Sequence, residues 1–171
     1  KLLYYYGPMD YIPNREGLKL LLKEVLPILD HAKTPYLLAL SGKGLDAESK
    51  QLIEQNKNVK WLGFVDDFET QLQAADIMIN PIWLGGGVKV KLMEALANGV
   101  TAISFHSGAL GIDPKTAQGK LHIVPDQNAK AIAQKIIDLT EADFLFPTPQ
   151  SYYDRYAGKN VVKRVLEVLK K

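Results

Sequence analysis

Apolar residues fall along this chain in short unbroken runs, and between the runs they recur every third or fourth position. The runs have strand length. They predict strands over Leu2–Tyr6, Tyr36–Ser41, Val59–Val65, Ile77–Ile82, Thr101–Phe105 and Leu121–Pro125. Most are continuously apolar rather than alternating, which is the pattern of strands covered on both faces. Helices are predicted between them. Leu18, Leu21, Leu22, Val25 and Leu29 form one stripe at helical spacing, and Pro27 is expected to bend its last turns. Shorter helices are predicted over Asp46–Gln55 and Phe68–Ala75, the second opening with Asp66 and Glu69 in capping-box spacing. Another is predicted over Val88–Asn98, stopped by Gly99. Ala129, Ile132, Ala133, Ile136 and Ile137 line the next, and Val161, Val162, Val165, Leu166 and Leu169 line the last.

Two stretches break the pattern. Ser107–Lys120 reads as a glycine-bearing loop. Phe144–Gly158 holds Pro147, Pro149, Tyr152, Tyr153 and Tyr156, and reads as a connection across the surface to the final helix. Strand–helix alternation implies right-handed crossovers and a doubly wound, Rossmann-like α/β fold, a six-stranded parallel sheet with helices on both faces. Ligands of such sheets sit beyond the carboxyl ends of the strands. The loops after the strands are therefore where chemistry is sought.

Composition narrows the classes. The 171 residues suit one domain. Twenty-one basic against 19 acidic residues leave a net charge of +2, too balanced for a dedicated nucleic-acid binder. The absence of cysteine excludes disulfides, cysteine zinc sites and thiol catalysis. Three scattered histidines argue against a histidine metal site, and no apolar run is long enough to span a membrane. A chain that opens within one residue of a strand is expected to be part of a longer protein.

The loop after the fourth strand is the most informative. Gly85, Gly86 and Gly87 stand between a strand and a helix. Such glycines let the backbone approach a ligand and aim N–H groups at it, and the helix adds its positive dipole end. That combination suits a diphosphate, and a tight strand–helix turn is the alternative. At about 100° per residue, Gly87, Lys91, Glu94 and Asn98 share a stripe, while Lys89 lies nearly opposite. Glu94 tilts back toward the glycines, and a carboxylate can accept both hydroxyls of a ribose diol. Lys91 can neutralise phosphate. Spacing alone is equally compatible with a solvated Lys–Glu pair.

These residues carry a resemblance. The stretch GFVDDFETQLQAADIMINPIWLGGGVKVKLMEALANGVTAIS is similar to the donor-binding half of family 4 glycosyltransferases of GT-B fold. The opening GPMDYIPNREGLKLLLKEVLPIL and the closing KNVVKRVLEVLKK resemble the start and the last helix of that half. The resemblance implies that residues 1–171 form a nucleotide-sugar-binding C-terminal domain, with residues 145–171 as crossing segment and last helix. An N-terminal acceptor domain would belong to the same protein. It implies a retaining transferase using a nucleoside-diphosphate-sugar as substrate, without metal or other cofactor. It implies no nucleic-acid partner, and a cytoplasmic enzyme with a peripheral contact to the inner face of the membrane. Glu94 matches the second glutamate of the family's E-x7-E motif, the ribose ligand. Gly86 stands where the first glutamate is usual, which alters the sugar contacts. The basic pair usual after the first strand is missing, and Pro8, Asn14 and Arg15 occupy that region. Phe64 and Val65 match the loop that holds the nucleobase. The implied donor site is therefore Gly85, Gly86, Gly87, Lys91, Glu94, Phe64, Val65 and Asn14; catalytic residues are not assigned.

Two other functions fit the same residues. One is a nucleotide-sugar epimerase or sugar phosphorylase, against which the sparse acid–base inventory argues. The other is a non-catalytic module that binds nucleotide-sugar, which Gly86 leaves open. A dehydrogenase and a P-loop enzyme are disfavoured because their glycine patterns are absent.

Overall fold

The computed structural model describes residues 1–142 and 146–170. Six strands form one all-parallel sheet: β1 (Leu2–Tyr6), β2 (Leu37–Ser41), β3 (Val59–Trp61), β4 (Ile77–Asn80), β5 (Thr101–Phe105) and β6 (Leu121–Val124). Their order is β3-β2-β1-β4-β5-β6, so the chain reverses direction across the sheet between β1 and β4. The pairing is in register from Leu2 against Leu37 to Tyr6 against Ser41, and Ile77 to Asn80 pair with Thr101 to Ser104.

The pleat of β1 sorts its side chains to two cores. Leu3 and Tyr5 join Leu38, Leu40, Ile79, Ile103 and Phe105 under one helical layer. Tyr4 joins Ala39, Met78 and Ala102 under the other. The first layer contains α1 (Ile12–Leu20), a wider π-helical turn (Leu21–Val25), α2 (Leu26–His31), α3 (Ala47–Gln55) and α6 (Ala129–Glu141). The second contains α4 (Phe68–Gln73), α5 (Val90–Ala97) and α7 (Gln150–Tyr156). Burial on both faces explains why the strands read as continuous apolar runs.

Several boundaries differ from expectation for local reasons. β3 ends at Trp61, four residues early, because Gly63 takes φ +72° and turns the chain out of the sheet. Pro27 lacks an N–H for an ordinary turn. The wider π turn precedes it, and Leu26 N–H bonds Leu21 O, five residues back. Asp67 caps α4, not Asp66: its Oδ1 accepts the Thr70 N–H at 3.1 Å and its Oδ2 accepts the Thr70 hydroxyl at 2.6 Å. α5 starts at Val90, two residues later than predicted, with Lys89 at its N-cap.

Of the expected connection over 144–158, residues 144 and 145 lie outside the described residues, as does residue 171 at the chain's end. The rest contains a helix, α7, where only a loop was expected. Its tyrosines staple it down: Tyr152 donates to Met93 O at 2.9 Å and Tyr153 to Ala97 O at 3.0 Å, while Tyr156 accepts the Asp113 N–H at 2.7 Å. α8 (Gly158–Leu169) follows, and its apolar stripe is uncovered: Val162 is 57% exposed, Val165 51% and Leu169 76%.

Candidate functional site

The carboxyl ends of β1, β2 and β3 release three loops whose backbones interlock. Gly7 N–H bonds Ser41 O at 3.0 Å, Gly42 N–H bonds Gly63 O at 2.8 Å, and Met9 N–H bonds Lys43 O. Gly42 (φ +144°) lies so close to Gly7 that a β-carbon on it would fall 1.9 Å from the Gly7 carbonyl oxygen. Above this floor opens a cavity of about 430 Å³ lined by Tyr6, Gly42, Lys43, Phe64, Val65, Phe68 and Glu94, among others. Its volume falls within the usual range of about 300–1,000 Å³ for a small-molecule site. A larger, polar depression, about 620 Å³, lies between Asp30, Lys33 and Asn58, at the amino ends of β2 and β3. Open α/β sheets bind ligands at the other end.

Of the residues picked from the sequence, three meet in the cavity: Phe64, Val65 and Glu94. Phe64 is 61% exposed, and Lys43 Nζ stands 4.1 Å from its ring centroid. An open ring under a cation is a platform for a flat, electron-rich group. Glu94 sits on the second turn of α5 and accepts the Tyr6 hydroxyl at its Oε2, 2.8 Å away.

Lys91 lies just behind the cavity wall. Its Nζ donates to Asn14 Oδ1 at 2.7 Å and to Tyr6 O at 3.1 Å, and it stands 4.8 Å from the Tyr5 ring centroid. Burial pulls its pKa down from the ordinary lysine value to about 7, and the charge of Lys89 pulls in the same direction. Asn14 is 4% exposed, so it faces Lys91 rather than the cavity; its Nδ2 donates to Pro8 O at 2.9 Å and its carbonyl accepts the Tyr5 hydroxyl at 2.7 Å.

The three glycines are not brought to this cavity. Gly85 and Gly87 take φ of +79° and +78°, and Gly86 and Gly87 border open space. The Gly85 and Gly86 carbonyls accept hydrogen bonds from Lys89 Nζ at 3.0 and 2.9 Å. Lys89 thus folds back on the loop, while Lys91 reaches under β1. The sequence reading missed Tyr6, Lys43 and Phe68. Ser41–Gly42–Lys43–Gly44 lacks the spacing of a P-loop, but its place after a strand is the signal that points to the ligand end.

The sequence profile described as "Glycosyl transferases group 1" matches residues 1–142. The chain belongs to the group 1 glycosyltransferases. No curated protein matches its sequence. Solved structures match the fold of this glycosyltransferase chain at low identity. TarM of S. aureus aligns over 100% of the chain at 14% identity and TM-score 0.78. A glycosyltransferase from Rickettsia africae ESF-5 aligns over 99% at 18% and 0.77. HepE of Anabaena, solved with UDP, aligns over 99% at 14% and 0.73. The chain covers 35%, 47% and 48% of those three, so it spans between a third and a half of their length. Among the described residues no helix is long and apolar enough to cross a membrane, and no three acidic or histidine side chains cluster as a metal site.

Proposed function

We propose that this chain is the donor-binding half of a retaining glycosyltransferase that moves a sugar from a UDP-sugar to a growing polysaccharide or a lipid-linked glycan. One arrangement carries the reading: Glu94 and the open Phe64 ring line the same cavity, at the carboxyl ends of the strands. In this reading the base lies on Phe64 beneath Lys43, and Glu94 accepts the ribose hydroxyls. The diphosphate draws its positive charge from Lys91 and from the free N–H groups at the start of α5, without a metal ion. HepE, which shares the fold, was solved with UDP, which favours uridine as the base.

Transfer then needs a second domain to bring the acceptor and to close over the donor, excluding water. A lipid-linked acceptor places the intact enzyme in the cytoplasm, against the membrane's inner face. The donor reading is tested by titrating UDP and GDP into the wild-type chain and Glu94→Ala. Two charge-assisted hydrogen bonds are at stake, so UDP affinity is expected to fall at least tenfold. Equal affinity in both proteins, with the fold intact, overturns it. The anomeric configuration of the product, read by NMR on the longer protein, tests retention.

A further inference from the structure

Tyr6 closes β1 and lies on the cavity wall, partly buried. Its ring stacks on Tyr4, with centroids 5.3 Å apart and planes 19° apart, and leans on Phe68 at 5.8 Å. Two acceptors face its hydroxyl: Glu94 Oε2 at 2.8 Å and the Lys91 carbonyl at 3.2 Å. One proton cannot serve both fully, and the shorter bond to the charged acceptor takes it. Burial, and then the charge of Glu94, push the Tyr6 pKa well above its ordinary value, so the hydroxyl remains a donor. Glu94 Oε1 takes no hydrogen bond from the described residues.

We propose that Tyr6 is a positioning residue for the donor: its hydroxyl pins Oε2 of Glu94 to the cavity wall and presents Oε1 to the ribose diol. The proposal rests on the reading of Glu94 as the ribose ligand. Its physical content is preorganisation. A glutamate has a rotamer-rich side chain, and fixing it costs entropy. When that cost is met on folding, it is not charged again on binding. Tyr6 also accepts Lys91 Nζ at its own carbonyl, so one strand-end residue holds both charged groups of α5, Glu94 on the cavity wall and Lys91 behind it.

The test removes the hydroxyl and keeps the ring. NMR titrations of UDP and of 2′,3′-dideoxy-UDP are run on wild type, Tyr6→Phe, Glu94→Ala and the double variant. Tyr6→Phe is expected to weaken UDP about five- to tenfold and to leave the dideoxy nucleotide unchanged. The double variant is expected to bind UDP no more weakly than Glu94→Ala, because both changes act through one contact. Equal weakening of both nucleotides by Tyr6→Phe means a merely structural role and overturns the proposal. So does an unchanged UDP affinity in Tyr6→Phe while Glu94→Ala loses it; in both cases the ribose reading stands. Unchanged UDP affinity in Glu94→Ala overturns the ribose reading itself, and the proposal with it.

Discussion

Lys91 is buried near the positive end of a helix, and that burial and the charge of Lys89 work against a cation there, although its Nζ keeps Asn14 Oδ1 and Tyr6 O as acceptors. The unfolded chain keeps its proton to about pH 10.4, and the folded chain only to about 7. Between those values the unfolded state binds more protons, so this group makes stability rise with pH across the window. Below pH 7 the penalty is complete. Relative to Lys91→Met, wild type is therefore expected to gain unfolding free energy between pH 7 and 10, measured by denaturant titration at each pH. An anionic diphosphate reverses the preference and draws a proton onto Lys91. Calorimetry of UDP binding at pH 8, in buffers of different ionisation enthalpy, is expected to show uptake approaching one proton in wild type and none in Lys91→Met. At this scale the helix stripe of Lys91 and Glu94 was legible, because period is local. Tyr6 was not, and Asn14 was expected in the donor site rather than behind it, because their partners lie on other elements: Glu94 is 88 positions from Tyr6, and Lys91 is 77 from Asn14.

Elements were legible where burial on two faces left an unbroken apolar run, as in β1 and β5, whose predicted and observed limits coincide. They were misread where a single side-chain contact decides a boundary. Asp66 and Asp67 are adjacent and chemically alike, and only the geometry of the Thr70 N–H selects Asp67. Asp67→Ala is expected to lower the thermal midpoint, and Asp66→Ala to leave it close to wild type, by calorimetric scanning. α7 was masked by Pro147 and Pro149, although Tyr152, Tyr153 and Tyr156 have helical spacing. Pro149 precedes the helix, where a missing N–H costs nothing. The contact of Gly42 with Gly7 gives the sharpest prediction at this scale. Gly42→Ala must push two strand-end loops apart, and is expected to cost at least about 2 kcal/mol by chemical denaturation.

The whole molecule has two cores, one on each face of the sheet, and so is expected to unfold in one cooperative transition. It is also expected to bind UDP weakly and to release none from UDP-sugars when offered acceptors, because in the proposed reading a second domain supplies the other wall of the site. Turnover like that of an intact transferase, followed by nucleotide release, would show the catalytic set to be complete within these residues. The parallel, doubly wound sheet was implied by alternation and handedness, whereas the order of its strands came only with the structure. The uncovered stripe of α8 could be read only as an apolar helix, since periodicity reports a face and not what lies against it.

The touching loop ends also set a limit on heredity. Every amino acid reachable from a glycine codon by one base change carries a β-carbon, and at position 42 that atom falls 1.9 Å from a neighbouring carbonyl oxygen. Every single-step route away from Gly42 therefore has to displace the Gly7 loop. In a randomised library selected for folded protein, codon 42 is where surviving missense variants should be scarcest, while codon 86, bordering open space without a positive φ, should tolerate them better than codon 87.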